Sequence, residues 1–259
     1  RVGPSGGWRR TAPGGPGRAG VGSFTFNTHW TWSNNVSNYF ITEDPYNVTN
    51  RWTREPLDRR HYGVFTTTWV MPWGKGRRFL SNAPPLVDRV LGGWTMQSIS
   101  YLGTGTYFSP SFSGSDPSNT NTSGGLPDRI ADGNLSGDQR TKDRWFDPRA
   151  FKVPGCPDSD PVCRTPANIG RYGNSGGNIL LAQGLNVHHL SLAKRFALTE
   201  RFSMTLTTAI SNLFNHPHFN NPLNNISNPD PGKFTSVVPD YNPEKQTSRH
   251  ILMKLRIEF

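Results

Sequence analysis

No stretch of this 259-residue sequence approaches the ~18 consecutive apolar residues that a membrane-spanning helix needs. That excludes a helical membrane protein. It leaves a transmembrane β-barrel open, because barrel strands carry only an alternating pattern. Cysteine is nearly missing: Cys156 and Cys163 stand seven positions apart in a Pro/Asp-rich loop. Two exposed cysteines this close read as one small disulfide, suited to an oxidising compartment. They do not read as a metal centre, since no Cys or His at ligand spacing completes a four-ligand set. Charge is scarce, at 18% of residues, although the balance is +10. The surplus is scattered through Arg9, Arg10 and Arg18, Arg59 and Arg60, and Lys75, Arg77 and Arg78. A nucleic-acid surface gathers such charge with interleaved aromatics, so nucleic acid is not an expected partner. Catalytic signatures are missing too: there is no G-x-S-x-G, H-E-x-x-H or Walker loop. The expectation is a protein without enzymatic activity or cofactor. No initiator Met or signal peptide precedes Arg1, which leads us to expect a fragment or processed C-terminal piece of a longer protein.

What the sequence does have is period two. Residues 1–20 are Gly/Pro/Arg-rich and read as linker or loop. From Ser23 to Trp32, Phe24, Phe26, Thr28, Trp30 and Trp32 alternate with Thr25, Asn27, His29 and Thr31. A strand puts such neighbours on opposite faces. Residues 61–71, 185–198, 201–213 and 249–259 follow the same grammar, and residues 93–108 do so with a change of parity that suggests a β-bulge. The last segment is the cleanest: Ile251, Met253, Leu255, Ile257 and Phe259 alternate with His250, Lys254, Arg256 and Glu258.

These segments are longer than ordinary strands and suit tilted membrane strands of ~9–11 residues. Their connections alternate in length. Thr199-Glu200 is a tight turn and 72–92 is intermediate, with a short helix expected at 84–91 behind Pro84 and Pro85. Segments 33–60, 109–184 and 214–248 are long Asn/Ser/Gly/Pro/Asp loops. Outer-membrane barrels have this asymmetry. A soluble β-sandwich also alternates. Against it stand the strand length, an opposite face of Thr, Ser, Asn, Lys and Arg, and an apolar content of only 33%. Trp30, Trp32, Trp69, Trp73 and Trp94 also lie near segment ends, as interfacial aromatic girdles would. The expected fold is all-β: an antiparallel transmembrane β-barrel segment of about six long strands over 21–259, with long outer loops.

An ordered set of landmarks then resembles a known family. It runs through Asp58-Arg59-Arg60-His61, Met71-Pro72-Trp73-Gly74-Lys75-Gly76-Arg77-Arg78-Phe79, Gly92-Gly93-Trp94 and Pro127-Asp128-Arg129. Arg144-Trp145-Phe146-Asp147-Pro148 with Ala150-Phe151, Asn168-Ile169-Gly170-Arg171 and Leu198-Thr199-Glu200-Arg201-Phe202 follow. The set ends with Asn212-Leu213-Phe214-Asn215-His216-Pro217-His218-Phe219 and Leu255-Arg256-Ile257-Glu258-Phe259. In this order they resemble the C-terminal barrel of Oar-like TonB-dependent receptors; His189 replaces the family's Asp before the Thr-Glu-Arg turn. The resemblance implies an outer-membrane receptor of a Gram-negative-type bacterium that takes up a bulky ligand. The implied partners are outer-membrane lipid, the barrel-assembly machinery, and a TonB energy-coupling system acting through regions not in this chain. The stripe Ile251, Met253, Leu255, Ile257 and Phe259 resembles the terminal signal that the assembly machinery reads. The competing class is a non-transporting surface adhesin or a secreted binding module.

Among candidate site residues, Arg144, Trp145, Phe146 and Tyr172 are expected to meet ligand, from loop position and side-chain type. Asp132, Asn134, Ser136 and Asp143 have the spacing of a calcium loop, with Gly137 at its sixth position. Arg140 in the ninth position and the lack of flanking helices favour an Asx-rich loop closed by its own hydrogen bonds instead. His216 and His218 lack a carboxylate or thiolate partner and read as a loop corner, and His188 and His189 point to opposite faces of a strand.

Overall fold

The computed structural model describes residues 22–38, 52–199 and 201–259. The 1–20 segment and Glu200 lie outside the described residues. Among the described residues, twelve strands occur in chain order. Six are long: β1 (Phe24–Trp32), β4 (His61–Val70), β5 (Trp94–Gly103), β10 (Leu185–Ala197), β11 (Ser203–Ser211) and β12 (His250–Glu258). They form one antiparallel sheet in the order β1-β4-β5-β10-β11-β12, each strand beside its neighbour in this series. The other six make two-residue ladders: β2 (Val36–Ser37) with β3 (Thr53–Arg54), β6 (Tyr107–Phe108) with β9 (Leu180–Leu181), and β7 (Asp128–Arg129) with β8 (Phe151–Lys152).

Register fixes the two faces. Phe24 pairs with Trp69, Trp69 with Met96, Met96 with Leu192, Leu192 with Thr208, and Thr208 with Met253. Directly opposed residues share a face, so the apolar stripes of all six strands merge into one surface. Its members include Phe26, Trp30, Phe65, Leu190, Leu206, Leu255 and Ile257. The other face carries Thr25, Asn27, Tyr62, Thr66, Thr68, Gln97, Tyr101, His189, Ser191, Thr205, Thr207, Lys254 and Arg256. The pairing of β5 with both neighbours runs without a skipped residue, so the expected bulge is not there. Its parity change is compositional: Trp94 and Met96 face one way, Ile99 and Tyr101 the other. The strand also stops at Gly103. Residues 107–108 belong to the separate β6–β9 ladder, and a Cβ at Gly105 would overlap the carbonyl of Ala182.

Most of the apolar face has no described residue packed against it. Trp30 (64%), Leu255 (57%) and Ile257 (57%) are exposed, and no second sheet packs there among the described residues. A soluble sandwich would bury that face. The aromatics mark its two borders. Trp30 and Trp32 lie at one end of β1, with Trp30 stacked on His61 at 5.6 Å. Phe24, Trp69 and Trp94 lie at the other, with Trp69 edge-on to Trp73 at 5.8 Å. Phe24 and Trp32 are ~27 Å apart along the strand, which a tilt of ~35–45° reduces to roughly 20 Å of height, within a barrel's ~25 Å apolar band. Six strands fall short of the ~8 of the smallest barrels, and the outer edges of β1 and β12 are unpaired among the described residues. The sheet is therefore an arc of a transmembrane barrel.

Connections 33–60, 104–184 and 212–249 leave one rim, and 71–93 and 198–202 the other. A hydrophobic core lies outside the sheet, on the long-loop rim. Phe108, Phe112, Phe146, Ala150, Phe151, Val153, Cys156, Leu180, Ala182 and Ile226 pack together there. Phe146 meets Phe108 and Phe151 edge-on at 6.0 and 6.2 Å. Burying these rings contributes roughly 2–3 kcal/mol each, enough to order loops that have little regular structure. Cys156 and Cys163 are disulfide-bonded at its edge. Contrary to the expectation of two exposed cysteines, Cys156 is buried in this core.

Candidate functional site: the barrel mouth and its cap

All three long connections contribute to one cap. From the first, Thr53 donates its hydroxyl to the Gly177 carbonyl (2.6 Å), and the Asn178 amide donates to the Arg54 carbonyl (2.7 Å). From the third, Ile226 N–H bonds the Ser111 carbonyl (2.8 Å) and Phe234 N–H bonds the Lys142 carbonyl (2.9 Å). Trp145 fills the joint. Its indole donates to the Leu181 carbonyl (2.8 Å), and its ring lies edge-on to Phe234 at 5.0 Å with the Arg140 guanidinium above it. Inside the second connection, Arg171 grips Asp128 through two parallel bonds of 2.7 and 2.8 Å, and Asn174 N–H adds a third. Asp128 is buried while Arg171 is half-exposed. This carboxylate bond is the main cause that raises Arg171 above the ordinary guanidinium value.

The third connection also reaches the barrel interior. A 3₁₀ turn at Pro243–Lys245 lies against the polar face of the sheet. His189 accepts the Asn212 N–H at Nδ1 (3.1 Å) and donates from Nε2 to the Pro243 carbonyl (2.9 Å), which fixes its tautomer. Glu244, in this turn, lies near enough to Tyr62 to act on it electrostatically. Behind the turn, Asn212 is fully buried and left-handed (φ 49°). Its amide nitrogen meets the carbonyls of His216 (3.0 Å), Gln246 (3.1 Å) and Thr247 (2.8 Å), and its oxygen accepts His216 N–H (3.0 Å). Asn tolerates this backbone region better than other residues with a side chain.

A crevice of about 260 Å³ opens between cap and sheet, lined by Arg59, Tyr107, Gln183, His218, Asn220 and Lys245, among others. Arg59 reaches over Gly103 and donates to the Thr104 carbonyl. Burial lowers Arg59 from its ordinary value, with Glu244 opposing. Burial, then the Arg59 charge, lowers Lys245. His218 is pushed down, first by burial. It is held as the neutral ring: Nε2 accepts Asn186 N–H at 3.3 Å and Nδ1 donates to the Gln246 carbonyl at 3.3 Å. It is a structural corner, and both its nitrogens are used.

The residues expected to meet ligand separate. Arg144 is exposed and paired with Asp147 at 3.0 Å. Tyr172 is half-buried and donates its hydroxyl to Thr120 at 3.0 Å. Trp145 is a cap joint. Phe146, 1% exposed, is core, so it presents nothing to a ligand. The calcium-spaced oxygens do not converge. Asp132 accepts from Asn134 N–H (3.1 Å) and from Arg129 (3.2 Å), Asn134 binds the backbone of Ile179 and Leu181, and Asp143 pairs with Lys142 (2.8 Å). Asp132 sits below the ordinary carboxylate value, chiefly through that Asn134 N–H. Arg59, Lys245 and the Asn212 knot were missed as site residues. Arg59 and Asn212 stood in the landmark motifs, but their side-chain partners lie on other connections.

An apolar outside, a polar inside, aromatic borders and long loops on one rim define this class of protein: a transmembrane β-barrel, here in part. A family model described as outer membrane beta barrel domain matches residues 18–250. The chain belongs to that family and resides in the outer membrane. No curated protein and no solved structure matches it.

Proposed function

We propose that this chain is the C-terminal arc of an Oar-like TonB-dependent receptor, which takes up a bulky ligand and performs no bond chemistry of its own. The ordered landmark motifs support the family reading. The observation that carries the transport reading is the cap. A passive pore needs an open mouth, whereas here the second and third connections share a core, the first is hydrogen-bonded to the second, and the third lies on the interior face. A mouth covered in this way suits a receptor that admits its ligand only when driven. The long connections face outward and the short ones face the periplasm, as in other barrels. Arg144, Tyr172, Arg59 and Lys245 then form the surface a ligand meets. The free edge of β12 and its stripe from Ile251 to Phe259 engage the assembly machinery, and outer-membrane lipid covers the apolar face.

The test is uptake. Cells making the intact protein are offered labelled peptides, proteins and glycans, with the energy-coupling system present or deleted. Accumulation that depends on both the protein and energy coupling is the expected result. Surface binding without energy-dependent entry refutes transport and leaves a surface-binding protein.

A further inference from the structure

The connection between β4 and β5 holds more than a turn requires. Its helix α1 (Pro85–Leu91) has seven residues and none buried. A helix so short has little stability of its own. Here it is fastened at several points. Asp88 accepts the Lys75 N–H at 2.5 Å and packs against Gly74 and Gly92, where a Cβ would press on its Oδ1. At the other end, Trp94 donates its indole N–H to the Val90 carbonyl (2.9 Å). Lys194 donates to the Val90 carbonyl (3.2 Å) and the Gly92 carbonyl.

Lys194 is the unexpected residue. The register puts it in the lipid-facing row of β10, between Leu192 and Phe196. It is 3% exposed, because its ammonium group lies beneath the carbonyl end of α1, between the Trp94 and Phe196 rings at 5.3 Å. A cation in that row is thus used to hold the helix on the lipid side of the rim.

What the helix presents is apolar. Leu86 (76%), Val90 (65%) and Leu91 (43%) are exposed, as are Phe79 and Leu80 earlier in the same connection. The helix is held by Trp94 and Lys194, which belong to the lipid-facing row of the sheet. Beside it is a crevice of about 550 Å³ between the helix and the end of β10, lined by Lys75, Arg77 and Arg89 as well as Lys194. The carboxylate in its lining, Asp88, is occupied by the Lys75 N–H. Cations beside an apolar ledge, at the border of a membrane face, complement a lipid with an anionic head and acyl tails.

We propose that the 71–93 connection is a lipid-binding element. The phosphate of an anionic phospholipid sits among Lys75, Arg77 and Arg89, and Leu86, Val90 and Leu91 lie among its acyl chains. The inference rests on the orientation given above, which puts this rim at the phospholipid leaflet.

The intact protein is reconstituted in nanodiscs of phosphatidylethanolamine with and without phosphatidylglycerol, and retained lipid is read by native mass spectrometry. Selective retention of phosphatidylglycerol is expected. Lys75→Gln, Arg77→Gln and Arg89→Gln should each lower it about fivefold, while Lys254→Gln on the interior face leaves it unchanged. Heat-modifiable mobility confirms that each variant still forms a barrel. Equal retention of both lipids, undiminished retention in the triple variant, or full displacement by inorganic phosphate overturns the proposal. Orientation is read separately. An Arg78→Cys variant labelled by an impermeant maleimide on intact cells sinks the orientation and this inference together. A shielded thiol with unselective lipid retention sinks the inference alone.

Discussion

Asn212 is where the third connection can be undone with one substitution. Its amide serves three carbonyls and its oxygen one N–H, at 2.8–3.1 Å, in a fully buried position. Two amide hydrogens cannot satisfy three acceptors fully, so about three net hydrogen bonds are at stake. At ~1 kcal/mol each they amount to ~3 kcal/mol. Asn212→Ala loses these and adds ~1 kcal/mol for an L side chain at positive φ. Asn212→Gly loses the bonds alone, so glycine should be the milder change by that ~1 kcal/mol. Asn212→Asp keeps shape, φ tolerance and the acceptor for His216 N–H, but turns a carboxylate oxygen toward three carbonyls. It should be at least as damaging as alanine at neutral pH and should recover partly, relative to wild type, as acid restores a donor. Hydrogen exchange in peptides from 213–248 is the assay. Losing ~3–4 kcal/mol of local stability removes about two to three orders of magnitude of protection, while 203–211 keeps its own. Wild-type protection in both the Ala and Asp variants would refute the account of the knot.

Asp128 is buried under the two-bond grip of Arg171. Arg171→Lys cannot reproduce both parallel bonds and should cost the cap ~1–2 kcal/mol, whereas Arg171→Ala strands a buried carboxylate and costs ~3 kcal/mol or more; proteolysis at 155–170 reads the order of the two. The His218 ring is neutral in the fold because burial lowers its pKa, so the unfolded or opened segment binds the proton more readily. Stability from this residue is full above the ordinary histidine value of ~6.5 and falls as pH drops below it toward the lowered folded value. Protection in 213–248, corrected for the intrinsic exchange rate at each pH, should fall as pH drops below ~6.5, and His218→Gln should flatten that dependence. Asp240 has the opposite chemistry but the same sign. Hydrogen bonds from Ser248, chiefly its N–H, hold it well below the usual carboxylate range, so its contribution persists to pH ~4 and fades only in stronger acid.

The barrel was legible because alternation is a one-dimensional signal. Phe24 through Trp32, Phe202 through Ile210 and Ile251 through Phe259 each show their face without knowledge of a neighbour, and the register joins stripes already visible. The spacing of long and short connections likewise gave the common rim. The cap was not legible. Phe108, Phe112, Phe146, Phe151 and Leu180 are separated by polar, Gly- and Pro-rich chain and follow neither period. Only three-dimensional closure brings them together, through ladders two residues long. Hence Phe146 looked like a loop aromatic and is a core residue. Lys194 was unreadable for a related reason. It stands where alternation calls for an apolar side chain, and its explanation lies in carbonyls more than a hundred residues earlier in the chain.

The terminal strand offers the cleanest contrast between the two faces, because its neighbours differ by one position. Leu255 is opposite Leu206 in the lipid-facing row and is 57% exposed, in the middle of the stripe from Ile251 to Phe259. Lys254 is opposite Thr207 on the interior face. Water can solvate a charge there, and lipid cannot at the apolar midplane. Leu255→Lys should therefore cost ~2–4 kcal/mol, less if the row's centre lies off the midplane, and Lys254→Gln close to nothing. Leu252 gives an internal control. It is the apolar exception in the interior row, opposite Ala209, so Leu252→Lys should be far milder than Leu255→Lys although both replace an exposed leucine. The measurement is the amount of folded, heat-modifiable protein in the outer membrane and its unfolding in urea. Phe259, 95% exposed with its ring 6.3 Å from that of Phe202, contributes little packing. If it serves recognition by the assembly machinery, Phe259→Asp should lower the amount assembled without changing the urea midpoint of what does assemble. A loss of midpoint equal to the loss of yield would make Phe259 a packing residue, and equal tolerance at 254 and 255 would remove the assignment of the two faces.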